Sequence, residues 1–97
     1  MTKVLWTAQA DDDLASIYQY ISRDSEHYAK RMIERILRRE AQIAEYPLSG
    51  RVVPEVGDSQ IREIIEGNYR IIYKIFPNEF HVLTVVHGAI DLQKRSL

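Results

Sequence analysis

The sequence contains no cysteine. This absence excludes disulfides, thiolate metal sites and thiol nucleophiles. The chain also lacks internal repeats and low-complexity runs, and no apolar run approaches the roughly 18 residues that a membrane span requires. What remains is ordinary for a globular protein, with 45% hydrophobic and 28% charged residues. We therefore expect residues 1–97 to form one domain that does not enter a membrane, in which a partner would add stability to a small core.

No excess of charge of one sign is present. Thirteen basic and fourteen acidic side chains give a formal net charge of -1. Proteins that bind the phosphate backbone of nucleic acids usually carry an excess of basic residues. The charge balance therefore argues against a nucleic-acid-binding function, although a local basic patch remains compatible with it. The first residues form too short an apolar run for a signal peptide, and we expect a cytoplasmic protein.

Two helices are predicted in the first half of the chain. Thr7 is a suitable N-cap for a helix that runs to about Arg23, and Asp24 or Ser25 begins a second helix that ends before Pro47. The inward face of the first helix has residues spaced at i, i+3, i+4 and i+7, namely Leu14, Ile17, Tyr18 and Ile21. The short connection predicts an antiparallel helical hairpin.

Three consecutive aspartates, Asp11, Asp12 and Asp13, invite a metal-site hypothesis. Consecutive helical positions point about 100° apart, so these carboxylates cannot converge on one ion. Near a helix N-terminus they are favoured by the helix macrodipole instead. We predict no metal site and no cofactor.

The hydrophobic period changes from 3.6 to 2 at Ile61, which predicts strands over 61–66, 69–76 and 80–87 after a first strand over 3–7. Gly67 and Asn68 suit a two-residue type II′ hairpin turn. The fold class is therefore α+β, in the order β-α-α-β-β-β. We expect a small twisted, mostly antiparallel sheet with the helical hairpin on one face and the opposite face open.

The predicted hairpin places two arginines on opposite faces of the sheet. With Gly67 and Asn68 as the loop, Arg62 pairs with Tyr73 while Arg70 pairs with Ile65, and successive residues alternate between faces. Glu63 then lies diagonal to Arg70, so we predict an ion pair that ties the two strands together.

Five blocks of sequence follow one another in a distinctive order. They are Trp6-Thr7-Ala8, the segment from Asp13 to Ile21, Gly50-Arg51-Val52-Val53-Pro54-Glu55, Tyr69-Arg70-Ile71-Ile72-Tyr73 and Val85-Val86-His87-Gly88. In this order they resemble the RelE/ParE family of toxins from bacterial type II toxin-antitoxin systems. The last block, which contains His87, resembles the ParE type. The resemblance covers nearly the whole chain.

The resemblance implies a toxin that poisons DNA gyrase without being an enzyme. The C-terminal segment, with Lys94 and Arg95, is then the expected contact with the target. An alternative is a ribosome-dependent messenger RNA endonuclease, in which Arg70 stabilises charge on the scissile phosphate with support from Arg62 or His87. Against this alternative, Gly88-Ala89-Ile90 stands where several nuclease members carry residues that move protons. A third possibility is a non-toxic module that only binds an antitoxin.

A cognate antitoxin is the partner that the resemblance implies, in a toxin-antitoxin hetero-oligomer. We expect an initially disordered antitoxin tail to cover apolar helix residues, centred on Tyr18, Ile21, Tyr28 and Met32. An added edge strand is a further possible contact.

The segment between the helices and the sheet is expected to be a structural turn built on Gly50, Arg51, Pro54 and Glu55. Gly50 permits a positive φ, and Pro54 restricts the backbone. Arg51 is then expected to hydrogen-bond backbone carbonyls or to pair with Glu55 or Glu63.

Overall fold

The structure is a computed structural model that describes residues 3–90 and residue 92. Two helices pack against one face of a five-stranded sheet. The elements are β1 (Lys3–Trp6), α1 (Ala8–Ser22), α2 (Glu26–Glu45), β2 (Arg51–Val52), β3 (Ile61–Glu66), β4 (Tyr69–Ile75) and β5 (Glu79–His87). The α+β class and the helical hairpin are confirmed.

The helix boundaries follow from local capping. The backbone N–H of Ala10 donates to the Thr7 hydroxyl (3.1 Å), and that of Tyr28 donates to the Ser25 hydroxyl (3.1 Å). Each hydroxyl satisfies a donor that the first helical turn leaves without an intrahelical partner. Ser25 rather than Asp24 therefore begins the second helix, and α2 ends two residues before Pro47 as predicted.

The strand order across the sheet is β1-β5-β4-β3-β2. β1 runs parallel to β5, and the other neighbours are antiparallel. The register predicted for the β3-β4 hairpin is confirmed at every pair from Glu66 with Tyr69 to Arg62 with Tyr73. Gly67 has a φ of 59°, and a positive φ at this first turn position alone is the type II′ geometry.

The segment predicted as a turn contains a strand that the sequence did not predict. β2 is two residues long and pairs antiparallel with β3, with Arg51 opposite Glu63. Gly50, just before it, does not have the positive φ we expected. It is a glycine because a Cβ there would lie 2.4 Å from the Tyr73 hydroxyl oxygen. The close approach of the Tyr73 side chain, not the backbone conformation of Gly50, therefore excludes larger residues at this position.

The sheet has a buried layer on both faces. The helix side holds the larger apolar cluster, which includes Ile36, Ile43, Ile71 and Tyr73. The prediction of an open opposite face is wrong, because a second cluster covers part of it. This cluster comprises Val53, Ile61, Ile72, Val86 and Leu92, with Leu83 packed against it. We call this side of the sheet the outer face.

Candidate functional site

A groove of about 910 Å³ lies where the helical hairpin meets the ends of β4 and β5. Residues from both helices and both strands line it: Asp13, Ser16, Ile17, Tyr20, Ile21, Asp24, Ser25, Tyr28, Met32, Asn68, Tyr69, Val85, Val86, His87 and Ile90. We call it the tyrosine groove. Its lining includes two aspartates and no lysine or arginine, so it combines an apolar floor with acidic charge.

Three tyrosines line the tyrosine groove. Tyr20 and Tyr28, from the helix α1 and the helix α2, are 67% and 50% exposed. Tyr69, from β4, is buried, and burial raises the pKa of its hydroxyl. The His87 ring meets the Tyr69 ring edge-on, with centroids 5.8 Å apart. Exposed tyrosines around an apolar centre are a composition that protein-binding surfaces favour.

The structure brings together three of the four residues predicted to bind an antitoxin. Ile21, Tyr28 and Met32 line the groove. Tyr18 does not, and its hydroxyl donates to a carboxylate oxygen of Glu26 (3.1 Å). Sequence reasoning missed Tyr20. Helical periodicity identifies residues that face inward, and Tyr20 lies on the exposed side of α1.

Asp13 has a role that the sequence did not reveal. The β4-β5 ladder shifts register after Ile72, which pairs with Thr84 while the next residue pairs with Val82. At this bulge the backbone N–H of Val85 donates to the Asp13 carboxylate (3.0 Å), and so does the Thr84 hydroxyl. Asp13 therefore ties α1 to the irregular point of β5, in the lining of the groove. A bulge leaves no clear sequence signal, so this contact could not be predicted.

On the outer face, Arg70 is enclosed by two carboxylates. Its side chain is only 6% exposed. Its Nε donates to Glu63 (2.7 Å), and its Nη1 and Nη2 donate to the two oxygens of Glu55 (2.7 and 2.8 Å). Nη1 also reaches the carbonyl oxygen of Ile90 (3.4 Å). The predicted Glu63–Arg70 pair is confirmed, and Glu55 completes the shell around the guanidinium.

This arrangement shifts two pKa values. The bidentate hydrogen bonds from Arg70 lower the pKa of the Glu55 carboxyl to about 2. The same contacts raise the pKa of Arg70, so it keeps its charge. A phosphate group would have to displace Glu55 to reach this guanidinium.

The contacts expected of Arg51 are made by two arginines, Arg51 and Arg62. Arg51 donates to Glu63 from a side chain that is 62% exposed, so one of its predicted partners is confirmed. The backbone carbonyls of the turn are instead bonded by Arg62, which donates to the carbonyls of Ser59, Leu48 and Gly50 at 3.1, 3.3 and 3.0 Å. Of the two alternatives expected for Arg51, the structure shows the ion pair, because the strand position of Arg51 places it opposite Glu63.

The three residues considered for a nuclease do not converge. Arg70 faces the outer side, whereas Arg62 pairs with Tyr73 and His87 pairs with Tyr69, whose rings lie on the helix side. His87 Nδ1 accepts a hydrogen bond from the Ala89 N–H (3.2 Å), as in a turn cap. Lys94 and Arg95, predicted to contact a target, lie outside the described residues.

The described residues also bear on the class of site through what they lack. Within residues 3–90 and 92, no group of three or more histidine, cysteine, aspartate or glutamate side chains could hold a metal ion. No helix in the same residues is long and apolar enough to cross a membrane.

Comparison with known proteins agrees with the geometry. Residues 4–92 match the family model described as ParE toxin of type II toxin-antitoxin system, parDE. The chain is 32% identical over 90 residues to a protein of Caulobacter vibrioides named Toxin RelE2. The aligned residues cover 92% of this chain and 98% of that relative.

Two solved structures share the fold. One is a chromosomal ParDE toxin-antitoxin system from P. aeruginosa, with a TM-score of 0.74 and 19% identity over 90% of this chain and 96% of that chain. The other is the toxin-antitoxin complex RelBE2 from Mycobacterium tuberculosis, with a TM-score of 0.66 and 19% identity over 89% and 96% of the two chains. The match over nearly the whole length, together with the relative above 30% identity, shows that this chain belongs to the ParE toxin family of type II toxin-antitoxin systems.

Proposed function

We propose that this toxin arrests growth by poisoning DNA gyrase, and that a cognate antitoxin neutralises it by filling the tyrosine groove. The state of Arg70 carries the first part of the proposal. A guanidinium that stabilises a scissile phosphate must present free donors, and this one is enclosed by Glu55 and Glu63. The absence of convergence with Arg62 and His87 adds to this argument.

The experiment compares two activities of the same purified toxin. We expect micromolar toxin to inhibit supercoiling by gyrase and to leave broken DNA, because a poison stabilises the cleaved state. A translation extract given the same toxin should show no codon-periodic cleavage of its transcripts. The reverse result, cleaved transcripts with active gyrase, would establish the endonuclease alternative, which the RelE2 relative favours.

The tyrosine groove supports the antitoxin as partner. Its apolar centre suits an amphipathic segment, and the acidic side chain of Asp24 in its lining suits a lysine or arginine side chain at the edge of that segment. We propose a toxin-antitoxin hetero-oligomer with an interface of at least about 1,600 Å² in total. Both proposed activities lie in the cytoplasm, where we place the protein.

A matched set of tyrosine variants tests the location. Tyr20→Ser and Tyr28→Ser should each weaken antitoxin binding about 10- to 30-fold, the effect expected of an interface hot spot. Tyr46→Ser is the control, because Tyr46 is equally exposed (64%) but does not line the groove. Equal affinities for all three variants would place the interface elsewhere. Harmless expression of the unmodified chain without any antitoxin would instead favour the non-toxic module.

A further inference from the structure

The outer face holds the end of the described chain as well as the charges. Leu92 is 2% exposed and packs in the cluster with Val53, Ile61 and Ile72. The Ile90 carbonyl accepts from Arg70 (3.4 Å), whose guanidinium is held by Glu55. Residues on both sides of position 91 therefore contact the outer face, one through this charge pair and the other through the apolar cluster.

Glu55 is the member of this network that the sheet does not need. Glu63 already accepts from both Arg51 and Arg70 and lies within β3, next to its partner strand. Glu55 lies beyond β2 in the loop that follows Val53, and its carboxylate links that loop to Arg70. The free-energy cost of removing two charges from water offsets most of their mutual attraction in a buried ion pair. Such a pair therefore contributes more to the positions of its neighbours than to the free energy of unfolding.

Two contacts of different chemistry thus converge on the same short segment. The Leu92 side chain supplies apolar burial against the loop residue Val53, and Arg70, held by Glu55, supplies a donor for the backbone carbonyl of Ile90. Neither contact is made by the helices, although Ile90 also lines the tyrosine groove.

We propose that Glu55 and Arg70 are positioning residues that anchor the C-terminal segment at 90–92 to the outer face. The pair fixes the position of Ile90 and Leu92 on the outer face. Its consequence for activity rests on the proposed function, together with the expectation that Lys94 and Arg95 contact the target. The anchor itself does not depend on which target is bound.

Amide exchange measured by NMR on the full chain tests the anchor directly. Glu55→Gln keeps the shape of the side chain and removes its charge. It should speed exchange of the Leu92 amide about tenfold more than it speeds exchange of the Ile71 and Ile72 amides in β4, as in a local opening added to any loss of global stability. Glu55→Asp restores the charge on a shorter stem and should recover part of the protection. Leu92→Ala should loosen the same segment through the apolar contact.

Glu34→Gln is the matched control, because it breaks an exposed pair with Arg38 (3.9 Å) on α2. If Glu55→Gln speeds exchange of Ile71, Ile72 and Leu92 in parallel, the pair only stabilises the fold and the anchor is refuted. Unchanged Leu92 exchange in both Glu55→Gln and Leu92→Ala also refutes it.

Activity separates the anchor from the proposed function. In a gyrase assay, Glu55→Gln should raise the toxin concentration needed for inhibition about tenfold, since a displaced contact element loses its pre-organisation. If the unmodified toxin does not inhibit gyrase, the proposed target is wrong while the exchange data still decide the anchor. Full potency of Glu55→Gln against gyrase, with Leu92 exchange raised, would refute the positioning role.

Discussion

The two faces of the sheet are stabilised in different ways. The helix side buries apolar residues such as Ile36 and Ile71 and ends in a groove with exposed tyrosines and an acidic lining. The outer face has a smaller apolar cluster around Ile72, and its charged side chains Glu55, Glu63 and Arg70 are bound to one another. A surface with exposed aromatics around an apolar centre is suited to a partner, whereas a closed ion network is suited to holding its own chain in place.

Replacing Arg70 should have the largest effect on this comparison. Arg70→Leu leaves Glu63, whose side chain is fully buried, and Glu55 without their shared cation, at an expected cost of about 3 to 5 kcal/mol in unfolding free energy. Urea denaturation measures the loss. Arg70→Leu combined with Glu63→Leu should recover part of it, because no unpaired buried charge remains on β3. Arg38→Leu, at an exposed pair on α2, should stay within about 0.5 kcal/mol.

The two turn arginines should differ in the same assay. Arg62→Ala removes donors from three backbone carbonyls and should cost about 1 to 3 kcal/mol. Arg51→Ala should cost less than about 1 kcal/mol, because its guanidinium is largely exposed and Glu63 keeps Arg70. A larger loss for Arg51→Ala would mean that the outer-face network, not the carbonyl contacts, holds this turn.

The smallest effect concerns pH. Because the folded pKa of Glu55 is lowered to about 2 from 4.5, its contribution is complete above pH 4.5 and is lost as the pH falls toward 2. Screening at its partly exposed position limits this contribution to about 1 to 2 kcal/mol. Glu55→Gln should therefore unfold more easily than the parent at pH 7, and the gap should close between pH 4.5 and 2. A gap that stays constant over this range would show that the Glu55 charge does not contribute.

The elements of the fold were largely predictable, because each has a local signal. Thr7 and Ser25 cap the helices, and Gly67 with Asn68 sets the register of the whole β3-β4 hairpin. The ion pair of Glu63 and Arg70 followed from that register. Contacts across long sequence separations were not predictable: Glu55 with Arg70, Asp13 with the β5 bulge, and Leu92 on the outer face each depend on how loops and layers dock.

The residues of the candidate site were predictable only in part. Ile21, Tyr28 and Met32 were identified from helix faces, and all three line the groove. Tyr20 was missed, since a residue on the exposed side of a helix carries no periodic signal. The groove exists only because the ends of β4 and β5 approach the hairpin, which no single element determines.

The parallel pairing of β1 with β5 has a consequence for synthesis. β1 has its sheet partners in β5, where Lys3 pairs with Glu79 and Trp6 with Val82. At a typical 5 to 20 residues per second, the ribosome needs about 4 to 15 s to reach those partners after β1 has been made. β5 joins β1 to the other strands and is the last of the described strands to be translated, so this sheet is complete only when translation of the described chain is nearly finished. A growing chain of this toxin cannot hold its native sheet before that point.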